Sequence, residues 1–266
     1  MNSMTAKCFR IVATTIFVGI LFPGLAACVT TTESVFTEEP SPEKTLERRV
    51  GLARQYIGEG NWKDAKRNLK LAVEIDPDNA EVHEAFALVY QSTGEYELAE
   101  QSFETAIKLR KNFSRARNNY AAFLFSQGRY QEAEAQLERV VADVLYSSRP
   151  SAFINLGLCR LQLFDPVGAE QAFVRALSMD RTNVIALLET AQLRFDADDI
   201  PSASHYYATY RQNVRQQSSR ALWLGIRIAQ KEGDRNAEGS YLLALRNLHP
   251  KSVEYQAYLR ATKNDG

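Results

Sequence analysis

Three cysteines in 266 residues are too few for a disulfide scaffold. The three histidines, His83, His205 and His249, lie far apart and make no metal-ligand spacing. With 13 glycines and 8 prolines, the chain has neither a collagen-like nor a low-complexity body. It has no excess of either charge. Its 32 basic and 32 acidic residues leave no basic surface of the kind that neutralises phosphates, so nucleic acid is not an expected partner. There is no G-x-S-x-G, no G-x-x-x-x-G-K-[ST], no C-x-x-C and no H-E-x-x-H. No enzyme, small-molecule substrate, metal or cofactor is therefore expected. What remains, 45% hydrophobic and 24% charged residues, is the balance of a globular chain.

The first residues read as an address. Lys7 and Arg10 precede an almost wholly apolar run from Ile11 to Phe22, too short to span a bilayer comfortably, and small residues follow it. An ordinary secretory signal would be cut near Ala27. Leu25-Ala26-Ala27-Cys28, however, resembles a bacterial lipobox, whose cysteine carries diacylglycerol and becomes the new N-terminus. Residues 1–27 are then a lipoprotein signal peptide and Cys28 the lipidation site, the covalent lipid being the only non-protein group expected. Acyl chains contribute about 0.8 kcal/mol per buried methylene and hold a soluble body firmly at a membrane. Val29 is not the Asp that commonly retains such proteins in the inner membrane, so the expected place is the outer membrane, on its periplasmic side. Removal of residues 1–27 leaves 30 basic and 32 acidic residues, so lipid rather than a polybasic patch is the expected anchor. Residues 28–45, with Thr30-Thr31-Thr32, Pro40 and Pro42, lack helical periodicity and read as a flexible tether. Its seventeen residues after Cys28 reach at most about 60 Å.

The body repeats every 34 residues, the tetratricopeptide period. Gly60-Asn61-Trp62-x-x-Ala65 aligns with Gly94-Glu95-Tyr96-x-x-Ala99 and Gly128-Arg129-Tyr130-x-x-Ala133. Six units follow, at 46–79, 80–113, 114–147, 150–183, 184–217 and 218–251, with only Ser148-Arg149 inserted. Position 8 reads Ala53, Ala87, Ala121, Gly157, Ala191, Gly225; position 20 reads Ala65, Ala99, Ala133, Ala169, Ala203, Ala237. All twelve are small, as required where helix A crosses helix B. Position 24 is always large and apolar, from Leu69 to Tyr241. Position 27 is looser, and Tyr210 departs from its small residues. The expected fold is all-α: a right-handed superhelical solenoid of six tetratricopeptide repeats, with residues 252–266 forming a capping helix and tail. Such an array leaves no room for a catalytic domain.

Helix A of each repeat is expected to line a concave face, chiefly through positions 2, 5, 9, 12 and 13. Positions 5, 9 and 12 place Val50, Arg54, Ile57, Glu84, Leu88, Asn118, Ala122, Phe125, Ile154, Leu158, Leu188 and Phe195 there, with Leu222 and Ile226 in the last repeat. This apolar stripe with few charges is either a groove for an apolar segment of a partner or a seam that superhelical curvature buries. Val50, Ile57 and Leu88 would form the floor of such a groove in the early repeats, rimmed by Glu47, Glu81 and Glu84. Only Arg54 and Asn118 match a carboxylate-binding groove, so an acidic tail is disfavoured as ligand. Asn119 and Asn155, both at position 6, suit either a bound peptide backbone or local backbone groups. Cys159 and the stripe Tyr206, Tyr207 and Tyr210 read as packing.

The lipobox at Cys28, the six repeats, and the middle blocks Arg117-Asn118-Asn119-Tyr120-Ala121-Ala122-Phe123-Leu124, Asp143-Val144-Leu145-Tyr146-Ser147-Ser148-Arg149 and Asn155-Leu156-Gly157-Leu158-Cys159 together resemble the type IV pilus biogenesis lipoproteins, the secretin pilotins of the PilF or PilW type. The resemblance spans the whole chain. It implies a scaffold that binds the outer-membrane secretin of the type IV pilus and helps it reach or assemble in that membrane, with no enzymatic step. An alternative is a repeat adaptor for cell-wall enzymes or β-barrel assembly. Some family members pair the cysteine matching Cys159 with one near the end of helix A of repeat three. Here that stretch reads Phe125-Ser126, so the resemblance implies no such bridge.

Overall fold

The computed structural model describes residues 41–264. The lipidation site expected at Cys28, the signal peptide and the tether up to residue 40 lie outside the described residues. Among the described residues there are thirteen helices and no strand: α1 (Pro42–Gly58), α2 (Trp62–Ile75), α3 (Ala80–Thr93), α4 (Tyr96–Leu109), α5 (Ser114–Ser126), α6 (Tyr130–Ala142), α7 (Arg149–Gln162), α8 (Pro166–Met179), α9 (Val184–Asp196), α10 (Ile200–Asn213), α11 (Ser219–Glu232), α12 (Arg235–Leu248) and α13 (Val253–Asn264). Odd-numbered helices α1 to α11 are the A helices and even-numbered ones the B helices of a tetratricopeptide solenoid.

The sequence marks both ends of most helices. Asn79, Asp165, Asn183, Asp199 and Asp234 accept hydrogen bonds from first-turn amides of the helices they precede, satisfying donors that a helix start leaves free. Four A-to-B turns place glycine at φ between 70° and 82°, where a side chain would be strained. The other two hold Phe164 and Asp198, both at φ 59°. Two boundaries differ from the sequence reading. The helix begins at Pro42, inside the segment read as tether to 45, because Ser41 caps the Lys44 amide and Pro42 suits the first turn. Arg149, read as part of an insertion, is the first residue of α7.

Each A helix packs on its own B helix, and each B helix on the next A helix. Ala53, Ala87, Ala121 and Ala191, with Ala65, Ala99, Ala133, Ala169 and Ala203, are wholly buried at these crossings. The two glycines at position 8 have a visible cause. A Cβ added to Gly157 would lie 2.5 Å from the Phe173 ring, and one added to Gly225 would strike Tyr207 of the preceding repeat. Phe173 and Tyr207 fill the space that the alanine methyl occupies at the other position 8 sites. One apolar core runs from Ala87 to Ile228. A second, of Val50, Ala53, Ala65, Leu69 and neighbours, binds repeat one to α3. Helix α13 packs on α11, while Ala237 of α12 stays half-buried.

Candidate protein-binding site

The concave register divides by burial. Val50, Ile154 and Phe195 are 7%, 5% and 7% exposed and belong to the core, as do Leu222 and Ile226. Val50 nevertheless lines a pocket of about 450 Å³ with Glu47, Arg54, Glu81 and Arg115, and Phe195 lines one of about 510 Å³ with Arg227 and Lys231. For Ile154, Leu222 and Ile226 the groove reading is corrected, since they lie in apolar core. Arg54, Ile57, Leu88, Asn118, Phe125, Leu158 and Leu188 are half-buried, and Ala122 is exposed. The open positions therefore run from α1 to α9, with three of them, Asn118, Ala122 and Phe125, on α5.

Its centre is a polar network that joins three repeats. Glu84, expected on the rim, is wholly buried. Its Oε2 accepts from Arg54 Nη2 of repeat one at 2.6 Å, and its Oε1 accepts from Asn119 Nδ2 of repeat three at 2.7 Å. Arg115 Nε lies 3.7 Å from the same carboxylate. Glu81, one turn earlier on α3, pairs with Arg110 and Arg115, each at 3.2 Å, and with Arg54 at 3.7 Å. Burial pushes the Glu81 pKa up, but the hydrogen bond from Arg110 and the Arg115 and Arg54 cations outweigh it and hold the carboxyl below its usual range. Arg110 and Arg115 flank the Phe113 ring, 4.5 and 5.0 Å from its centroid, which fixes their stems. Arg54 is thus committed to carboxylates within the chain.

This network floors a concave pocket of about 680 Å³ reaching Leu88, Asn118, Asn119 and the 143–148 connection. The sequence reading did not single out Arg115, although position 2 was named as groove-lining and Arg115 is position 2 of repeat three. It also gave Leu145 and Tyr146 no role; the signal was an apolar pair in the one lengthened connection. Of the two asparagines at position 6, Asn119 bonds Glu84 and Asn155 donates Nδ2 to Asn118 Oδ1 at 3.2 Å. Each spends its Nδ2 on a side chain within the chain, so the pair does not form a ladder of free donors.

The remaining candidates resolve as packing. Cys159 is wholly buried and carries no disulfide. Burial, aided by the Glu134 charge, pushes its thiol up to about 11, so it is neither thiolate nor nucleophile at neutral pH. It lies beside Phe125 and Leu158 in an apolar pocket of about 100 Å³. Tyr207 and Tyr210 are buried and stack at 6.0 Å, with the Tyr207 hydroxyl donating to Gln217 at 2.6 Å. Tyr210 thereby fills the looser position 27 of repeat five. Among the described residues no three His, Cys, Asp or Glu side chains group to hold a metal, and no helix is long and apolar enough to cross a membrane.

Comparison with known proteins agrees with this architecture. The tetratricopeptide repeat family model matches residues 50–111, 84–150 and 124–184. The type IV pilus assembly protein PilF of Pseudomonas aeruginosa is 35% identical over 240 residues, covering 90% of this chain and 95% of that protein. The chain belongs to the PilF family of tetratricopeptide proteins. The solved structure of Pseudomonas aeruginosa PilF superposes with a TM-score of 0.79 at 35% identity, covering 84% of this chain and all of that one. That of PilW, a widely conserved type IV pilus biogenesis factor, gives 0.69 at 26% identity, covering 81% and 99%. YrrB, a tetratricopeptide protein with an unusual peptide-binding site, shares the fold at 17% identity, with a TM-score of 0.61 over 73% of this chain and 97% of that one. This protein is thus a tetratricopeptide protein of type IV pilus biogenesis.

Proposed function

We propose that this protein is an outer-membrane lipoprotein scaffold that binds the type IV pilus secretin and promotes its localisation and assembly in that membrane. The observation that carries the reading is family membership across 90% of the chain together with a concave face whose open positions run from α1 to α9. The work is binding and delivery, with no chemical step. A scaffold that holds unassembled secretin more tightly than assembled secretin drives assembly forward by that difference in affinity and releases the product. Acyl chains on Cys28 supply the route to the membrane, since stable anchoring takes more than one chain or signal.

The test is made in the native envelope. Secretin is expected to co-purify with the tagged full-length protein. Deletion of the gene should leave secretin monomers outside the outer-membrane fraction, and Cys28→Ser should lose the acyl mass and mislocalise both proteins. Secretin that assembles normally in the outer membrane without this protein would refute the reading.

A further inference from the structure

The pocket of about 680 Å³ on repeats two to four has a chemistry of its own. Its volume falls within the roughly 300–1,000 Å³ of specific ligand sites. Four charged residues line it, Arg54, Arg115, Glu84 and Asp143, two of each sign. Each is already engaged. Arg54 holds Glu84 at 2.6 Å, Arg115 holds Glu81 at 3.2 Å, and Asp143 Oδ2 accepts from Ser114 Oγ at 2.5 Å. The formal charges of the lining sum to zero.

The uncharged groups are not exhausted in the same way. An ionised carboxylate only accepts hydrogen bonds, so Asn119 must turn Nδ2 toward Glu84, and its Oδ1 remains an acceptor. Asn118 accepts through Oδ1 from Asn155 Nδ2, and its own Nδ2 remains a donor. Adjacent residues on α5 therefore offer one acceptor and one donor to the same pocket. A peptide group presents the complementary pair, one N–H and one C=O. Ser147 and Ser151 add hydroxyls along the same lining.

One wall is the connection between α6 and α7, the single connection lengthened in the sequence. Leu145 there is 91% exposed and Val144 71% exposed. This turn is fixed from both sides. Leu145 N–H donates to Asp143 Oδ1 at 3.1 Å, Tyr146 N–H to the Asp143 carbonyl at 3.3 Å, and Arg149 Nε to the Val141 carbonyl at 2.7 Å. Leu88 of α3 and Tyr146, both half-buried, line the same pocket as Leu145. An exposed leucine on a braced turn is preorganised to cover an apolar side chain, which lowers the ordering cost of binding.

We propose that this pocket takes an extended, uncharged polypeptide segment, its backbone hydrogen-bonded by Asn118 and Asn119 and one apolar side chain seated among Leu88, Leu145 and Tyr146. Resting on the function proposed above, the segment belongs to the secretin. A lining of zero net charge gives no preference for a strongly acidic or basic peptide, and the paired amide donor and acceptor favour exposed backbone over a helix whose backbone is already satisfied.

The test uses the full-length lipidated protein in detergent, with intact secretin and overlapping secretin peptides as probes. Leu145→Ser and Asn118→Ala should each weaken binding of secretin, and of one uncharged peptide, by about tenfold or more, the effect of losing an interface anchor. Leu145→Ser should leave the melting temperature unchanged, and Asn118→Ala, which loses the bond from Asn155, should lower it by only a few degrees without unfolding the chain. Leu243→Ser, which removes an exposed leucine from α12, should bind normally. Affinity should change less than about threefold between roughly 50 and 500 mM salt, because no net charge is neutralised. Secretin that binds wild type and both variants equally would overturn this inference and leave the proposed function standing. So would a peptide ligand that is charged and strongly salt-dependent. Failure of wild type to bind secretin at all would remove the proposed function and this inference with it.

Discussion

In repeats one to three the concave register holds Arg54, Glu84 and Asn118, linked across repeats by hydrogen bonds and set around an open pocket. In repeats four to six the same register holds Ile154, Phe195, Leu222 and Ile226, buried in apolar core, with Leu158 and Leu188 half-buried beside them. Position 9 shows the contrast at its sharpest. Ala122 on α5 is exposed, whereas Ile226 on α11 is wholly buried. Two halves with one period and one helix pairing thus differ in what their inner face is for. In the late half the inner-face contacts are mostly apolar. Charged and amide side chains must keep hydrogen-bond geometry across 30 to 37 residues of sequence, and they leave a slot. The early half carries a hydrogen-bonded polar inner face, and the late half a mostly apolar one.

The strongest way to break this contrast is to place a charge at position 9 in each half. Ile226→Asp puts an unpaired carboxylate into the core, and a loss of about 4 kcal/mol or more is expected, with unfolding of the last repeats in thermal and urea melts. Ala122→Asp should leave the melting temperature nearly unchanged. Equal losses would show that the two halves are not different in kind.

The polar half is probed by Arg54→Ala, which leaves the wholly buried Glu84 with Asn119 as its remaining hydrogen-bond donor. Breaking one side of such a pair costs about 3 kcal/mol, measured by urea denaturation, and Glu84→Gln in the same chain should restore part of it. In the apolar half, Gly157→Ala drives a methyl into the Phe173 ring and should cost about 1–3 kcal/mol. Adding Phe173→Leu makes room for the methyl, so the double variant should lose less than the two single changes summed. The smallest effect concerns acid. The Glu81 carboxyl is held low by Arg110, Arg115 and Arg54, so its contribution to stability is complete above the ordinary value of 4.5 and is lost as pH falls through its depressed folded value. Melting temperature should decline below about pH 4.5, and Glu81→Gln should flatten that decline.

Much of the fold was legible along the chain. Small residues at positions 8 and 20, with large ones at position 24, place the helix crossings of every repeat without reference to any contact. Position 24 even contains the reason for two glycines, since Phe173 and Tyr207 occupy the volume that a Cβ at Gly157 or Gly225 would need. The start of α1 was less legible, because two prolines and three threonines mask a helix whose cap is Ser41.

The site was read less well, for a physical reason. Register position identifies which face of a helix a residue occupies, and that is a local property of 3.6-residue periodicity. Whether that face meets solvent depends on how near the neighbouring A helix lies, which the whole array sets. Ile154 and Leu88 look alike in sequence, yet one is core and the other lines a pocket. Glu84 reads as a rim charge until Arg54, 30 residues earlier, and Asn119, 35 residues later, are brought to it. The sequence by itself determined the repeat, its number and its crossings, because these rest on local helix geometry and side-chain volume. Tertiary structure alone decided which carboxylate is buried, which asparagine keeps a free donor and which leucine stays exposed, because these depend on distances between groups that only the stacking of repeats brings together.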